Sequence, residues 1–174
     1  MASVYFIGDL HLGHRNIMSF GQRDFKTIED HDEGMIELWN SKIKSKRDLV
    51  WVLGDVAMSM ESLKLLDKAN GQKRLIMGNH DRFDIPVYLK YFEDIRAFEK
   101  RYGFVMSHIP IHPNELVYRS WNFNVHGHIH DPSKNLRGDK YFNANADSIG
   151  LIPVELDELR TKIEIAKRVW YETV

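Results

Sequence analysis

The run Leu49-Val50-Trp51-Val52-Leu53 limits the possible folds more than any other stretch of the chain. Five consecutive apolar residues, mostly β-branched or aromatic, describe a strand covered on both faces. The run stops at Gly54-Asp55, and the same punctuation recurs along the sequence. An apolar run over residues 4–7 ends at Gly8-Asp9, and a short strand expected over 74–77 ends at Gly78-Asn79-His80-Asp81. Runs over 104–106 and 123–125 end at Ser107-His108 and at His126-Gly127-His128-Ile129-His130. In sheets packed between helices, ligands bind outside the carboxyl ends of the strands. One Asp at a strand end is ordinarily a turn residue, and one His ordinarily a surface residue. Five such ends in order exceed what turn chemistry explains.

Helices are expected between the strands. Thr27-Ile28-Glu29-Asp30 has the form of a capping box with Asp in place of Glu. Met35, Leu38 or Trp39, and Ile43 then follow helical spacing, which predicts a helix over 28–45 and makes His31 a helix residue. Ser59 can cap a second helix bearing Leu63, Leu66 and Ala69, stopped by Asn70-Gly71. Residues 10–21 read as a loop with a short helix near Ile17, and 86–91 as one or two helical turns. Residues 95–101 and 104–106 read as two strands joined around Tyr102-Gly103. Residues 109–121, with two prolines, read as a loop facing the site. Strands over 141–145 and 151–155 and a helix from Asp157 complete the chain. No repeat, linker or low-complexity tract divides it, so residues 1–174 are expected to form one domain.

Composition narrows the chemistry. Apolar residues make up 43% and charged residues 28% of the 174, ordinary for a globular protein with a full core. No apolar run is long enough to span a membrane. Asp9 and His11 interrupt the N-terminal apolar segment before a signal-peptide core can form, so a cytoplasmic location is expected. Cysteine is absent. Any metal must therefore be held by His, Asp, Glu or Asn, which suits Mn, Fe, Zn, Ni or Mg rather than a thiolate site. A net charge of −1 gives no global footprint for nucleic acid. Asp9-x-His11 and His128-x-His130 share a spacing: on an extended segment, residues two apart point to one side.

The series Asp9-x-His11, Gly54-Asp55, Gly78-Asn79-His80-Asp81, His108 and Gly127-His128-x-His130 resembles the calcineurin-like metallophosphoesterases. The resemblance runs in order from residue 5 to 130, and the tail from Asn143 to Glu158 looks like the closing segment of small bacterial and phage-type members. It implies an α/β fold, a four-layer β-sandwich of two mixed sheets flanked by helices, with the site at the sheet edge. It implies two divalent metal ions, manganese foremost. Asp9, His11 and His130 would hold the first, and Asn79, His108 and His128 the second, with Asp55 bridging them.

The implied reaction is attack of a metal-activated hydroxide on phosphorus, in a phosphodiester or phosphomonoester of a small molecule or nucleotide. His80 would protonate the leaving group. Asp81 either orients His80 or caps the following helix, and His126 either supports the neighbouring ligands or touches substrate. Candidates for phosphate contact are His14, Arg15, Asn16, Arg82 and Arg119. The likeness to the Ser/Thr protein phosphatases of the superfamily breaks at Met58 and Ser59, where those enzymes carry Asp and Arg. Action on DNA or RNA, or a noncatalytic metal-binding scaffold, are the competing readings. The chain is expected to be a monomer or small homo-oligomer.

Overall fold

A computed structural model of the protein describes residues 2–21, 23–117, 121–134 and 136–173. Among the described residues, nine strands form two sheets. The first has the order β4(Asp94–Arg96), β3(Gln72–Ile76), β2(Leu49–Val52), β1(Val4–Ile7), β9(Val154–Glu155). Its members are parallel except β9, which runs antiparallel to β1. The second sheet has the order β5(Phe98–Arg101), β6(Phe104–Ser107), β7(Asn124–His126), β8(Tyr141–Asn143), with β5 antiparallel to β6 and the rest parallel. Both sheets are therefore mixed.

The pleat of β1 and β2 explains the layers. Tyr5, Ile7, Val50 and Val52 face one way and pack against Met35, Ile36 and Trp39 of α2(Ile28–Lys42) and Leu63 of α3(Met60–Leu63). Phe6, Trp51 and Leu53 face the other way and meet Phe104, Met106 and Val125 of the second sheet. Leu159 and Ile163 of α5(Leu156–Thr173) close this inter-sheet core. An unbroken apolar run in β2 is what burial on both faces requires. The outer face of the second sheet, at Val105 and Tyr141, carries Ile111, Leu116 and Trp121. The described residues of the 109–121 segment thus spend apolar side chains on covering a sheet, where the sequence had the segment facing the site.

Local signals set the helix ends. Thr27 caps α2 by accepting the Asp30 N–H at 3.0 Å, and Lys42 rather than residue 45 ends the helix. Ser59 accepts the Ser62 N–H at 3.1 Å and so opens α3, which tightens into a 3₁₀ turn over Lys64–Lys68. Met58, the other position that departs from the protein phosphatases, donates its N–H to the Leu12 carbonyl at 2.8 Å. Two further short helices, α1(Ile17–Phe20) and α4(Ile85–Tyr88), stand where helical turns were expected.

The expected single strand over 95–101 is two strands. Asp94–Arg96 pairs with β3 in the first sheet, whereas Phe98–Arg101 pairs with β6 in the second. Ala97 lies between them, so the chain changes sheets there. Among the described residues, no helix is long and apolar enough to cross a membrane.

Candidate metal centre

The five strand ends meet at one edge of the two sheets. β1 and β2 deliver Asp9, His11 and Asp55, and three ladder-like bonds lock these loops together: Asp9 N–H to Gly54, His11 N–H to Asp55, and Leu12 N–H to Val56, at 2.9–3.0 Å. From the second sheet, the Gly127 N–H donates to the His108 carbonyl at 3.0 Å, and the His128 N–H donates to both oxygens of the Asp9 carboxylate, at 3.1 and 2.9 Å. One carboxylate therefore ties the two sheets together at the site.

The backbone reaches this arrangement through unusual conformations. Asp9, His11, Asp55 and His128 all have positive φ, between 51° and 71°. The two-residue spacing therefore does not work by extended alternation, as the sequence suggested, but through left-handed turns that cost non-glycine residues energy. Close approach adds a second constraint. A Cβ on Gly54 would stand 2.5 Å from His108 Nδ1 and 2.6 Å from Gly78 Cα, and one on Gly78 would collide with the Asp55 carboxylate.

Two groups of ligand-type atoms result: Asp9, His11 and His130, and Asp55, His108 and His128. In the first, the His130 Nδ1–H donates to Asp147 at 2.5 Å, so Nε2 presents its lone pair inward. That nitrogen lies 3.2 Å from His11 Nε2 and 3.6 Å from Asp9 Oδ1. In the second, the His108 Nδ1–H donates to the Leu53 carbonyl at 2.8 Å, which leaves Nε2 facing Asn79 Oδ1 at 2.8 Å and Asp55 Oδ2 at 3.4 Å. In both groups lone pairs converge, and only a proton or a cation between them relieves the repulsion. Nitrogen and oxygen donors without sulfur fit a divalent ion such as Mn, Fe, Zn, Ni or Mg.

The electrostatics agree with that fit. Burial pushes the Asp9 carboxyl up to about 7 despite nearby imidazoles. Burial also lowers His11 strongly, to about 3, and lowers His128. For His108 burial is outweighed by the Asp55 and Asp9 carboxylates, which raise it to about 9. For Asp55 burial is likewise outweighed, by hydrogen bonding to His108 and by the His80 N–H, so its carboxyl is lowered. Two buried carboxylates against a wall of imidazoles form a site in want of positive charge.

The remaining candidates divide. His80 is half-buried at the rim, outside both groups, with its ring 5.7 Å from that of His11 and 6.5 Å from that of His14. Its N–H donates to Asp55 Oδ1 at 2.8 Å. Asp81 takes neither expected position: its buried carboxylate accepts the N–H groups of Asp55, Val56 and Gly78 at 2.8–2.9 Å and so braces the loops beneath the site. His126 is buried, donates Nδ1–H to the Gly127 carbonyl at 2.7 Å, and belongs to neither group.

His14 lies against His11, with ring centres 5.3 Å apart, and Asn16 is exposed at the start of α1. Arg15 is exposed and lines a depression with Glu29, Glu33 and Glu61, acidic company that suits a solvated cation better than a phosphate ligand. Arg82 is exposed, and Arg119 lies outside the described residues.

Three participants were not foreseen. Asp147, which fixes the His130 tautomer, also accepts the Arg23 Nε–H at 2.6 Å. His31, expected to be an ordinary helix residue, is fully buried and meets Arg23 at 3.0 Å. Its spacing from Met35 and Trp39 put it on the buried face of α2, a signal present in the sequence.

Comparison with known proteins agrees with this picture. The chain is 32% identical over 180 residues to an uncharacterized protein of Methanocaldococcus jannaschii, covering 97% of this chain and 96% of that one. It is 28% identical over 166 residues to the gene 66 protein of Mycobacterium phage L5, covering 76% and 79%. A crystal structure of a protein of unknown function from Aquifex aeolicus superposes with a TM-score of 0.73 at 23% identity, over 92% of this chain and 99% of that one, and so shares the fold. The family profile described as calcineurin-like phosphoesterase matches residues 2–170. The match takes in every strand end that contributes to the site, and the chain belongs to the calcineurin-like phosphoesterase family.

Proposed function

We propose that the protein hydrolyses small phosphodiesters, phosphomonoesters or nucleotides at a binuclear centre, with manganese as its preferred ion. Asp9, His11 and His130 would hold one cation and Asn79, His108 and His128 the other, with Asp55 placed to serve both. One observation carries this reading: a single oxygen, Asp55 Oδ2, lies 3.6 Å from His11 Nε2 and 3.4 Å from His108 Nε2, and so faces both groups. Two divalent cations held there would supply Lewis-acid activation of water near neutral pH and neutralise charge on the phosphoryl oxygens.

The side chains do the rest. Asp9 and Asp55 fix the positions of the loops through the N–H groups of His128 and His80. His80, anchored by its own N–H over the bridging carboxylate, protonates the leaving oxygen. His14 and Asn16, in the loop that follows His11, contact the substrate from the same side.

The test uses Mn²⁺-loaded protein and bis-p-nitrophenyl phosphate, with EDTA as the control that stops turnover. His80→Ala lowers turnover by about 10²–10⁴-fold with metal content unchanged. Loss of metal in that variant overturns the division between ligand and acid. Bound metal without turnover on any mono- or diester, cyclic nucleotides included, makes the protein a scaffold. Faster degradation of single-stranded oligonucleotides than of small esters makes it a nuclease.

A further inference from the structure

Arg23 is 3% exposed, and its side chain bonds both to the Asp9–His130 side of the site and, through His31 and Met35, to α2. Its Nη2 donates to the Asp9 carbonyl at 2.7 Å and Nη1 to the Leu10 carbonyl at 2.8 Å. Its Nε donates at 2.6 Å to Asp147, whose other oxygen accepts the His130 Nδ1–H. The guanidinium has no acceptor, so His31 Nε2 must accept from Nη1 at 3.0 Å. The His31 Nδ1–H then donates to Asp32 Oδ1 at 2.8 Å, and the same oxygen accepts the Gly13 N–H at 2.9 Å. A continuous chain of oriented polar groups thus runs from α2 through Arg23 to His130.

We infer that Arg23 is a positioning residue that clamps two of the three ligands of the Asp9–His11–His130 group from behind; this rests on the binuclear reading above. Asp9 needs such a clamp because its backbone sits in the left-handed region, at φ 58°. Nη2 holds the carbonyl on one side of that residue, while the bond from the Asp9 N–H to Gly54 holds the other. His130 needs it because a single imidazole pivots about χ2 unless its second nitrogen is fixed, and Asp147 is in turn fixed by Arg23. Only a planar fork reaches a carboxylate, two carbonyls and an imidazole at once, so lysine cannot replace it. Among the described residues, Arg23 bonds to none of Asp55, Asn79, His108 and His128. The clamp therefore acts on one cation position and spares the other.

The experiment titrates Mn²⁺ alone into chelator-treated full-length protein by calorimetry and follows urea unfolding of the metal-free protein on the same samples. His130→Ala marks the binding step that belongs to this group. Arg23→Lys weakens that step by about 10–100-fold and leaves the other within about threefold. Asp147→Asn, which keeps the arginine in place, weakens the same step. The double variant loses little more than the worse single one, because both act through one chain of bonds. Lower urea stability with both steps unchanged overturns the inference and leaves Arg23 a buried structural residue. Equal weakening of both steps overturns it too. If the parent protein takes up no Mn²⁺, the binuclear reading fails, and the clamp with it. If it binds two Mn²⁺ but hydrolyses no ester, only the catalytic part of that reading fails and the clamp is judged on affinities as before.

Discussion

His126 is expected to make the metal-free protein sensitive to mild acid. Its imidazole is 1% exposed, donates Nδ1–H to the Gly127 carbonyl, and keeps Nε2 buried without a hydrogen-bond partner. Burial lowers its pKa to about 4, against 6.5 when unfolded. A base with a depressed folded pKa binds fewer protons folded than unfolded, so stability rises with pH between the two values and is lost as pH falls through them. With these pKa values, lowering the pH from 7 to 5 costs about 2 kcal/mol through this one group. That corresponds to a fall of roughly 4–8 °C in melting temperature for a chain of this size.

His11, His14 and His128 are depressed as well, so the parent protein alone cannot isolate the effect. His126→Asn can. Its amide nitrogen stands near the Nδ1 position and still donates to Gly127, while the titrating nitrogen is gone. Urea unfolding in the presence of EDTA, at pH 5 and pH 7, gives the difference of differences. The variant should lose about 2 kcal/mol less than the parent over that interval, whatever constant penalty the smaller side chain imposes. Equal pH slopes for variant and parent would refute the reasoning, since they would mean that His126 titrates alike folded and unfolded.

Two further outcomes follow from the loops under the site. Asp81→Ala strands two buried N–H donors, those of Asp55 and Val56, and the part-buried one of Gly78, and should cost about 3–5 kcal/mol in urea unfolding of the metal-free protein; a loss under about 1 kcal/mol would show that those donors find other partners. Gly78→Ala drives a methyl group into the Asp55 carboxylate, so it should cost about 1–3 kcal/mol by thermal melt and weaken Mn²⁺ binding at least about tenfold by calorimetry. Parent-like melting and affinity would mean that the Asp55 loop yields without consequence.

The strands and the site residues were legible for related reasons. A doubly covered strand must be apolar throughout, and the polar residue that ends it must serve a turn or a ligand, so both leave marks in a short window. The split at Ala97 left none. Residues 95–101 hold no glycine or proline, and the change of sheet is decided by partners elsewhere, Arg74 opposite Asp94 and Ser107 opposite Phe98. Arg23 and Asp147 were illegible for the same reason at longer range, since 124 residues separate the ends of that ion pair. Asp81 lay next to the site in sequence but turned its carboxylate to backbone donors 25 and 26 residues away in the chain and to one in its own turn, which no motif announces. His31 is the exception: its helical spacing already placed it inward.

The left-handed backbone at Asp9, His11, Asp55 and His128 sets local comfort against chemistry. Glycine is at home at such φ values, whereas asparagine, aspartate and histidine adopt them at some cost. The substitutions that would ease each loop, such as Asp9→Gly or Asp55→Gly, are also those that delete the oxygen or nitrogen aimed inward. A chain drifting under selection for stability alone would be drawn toward glycine at these places. Ionisable side chains at four left-handed positions around one cleft thus carry a backbone cost that the proposed metal centre accounts for.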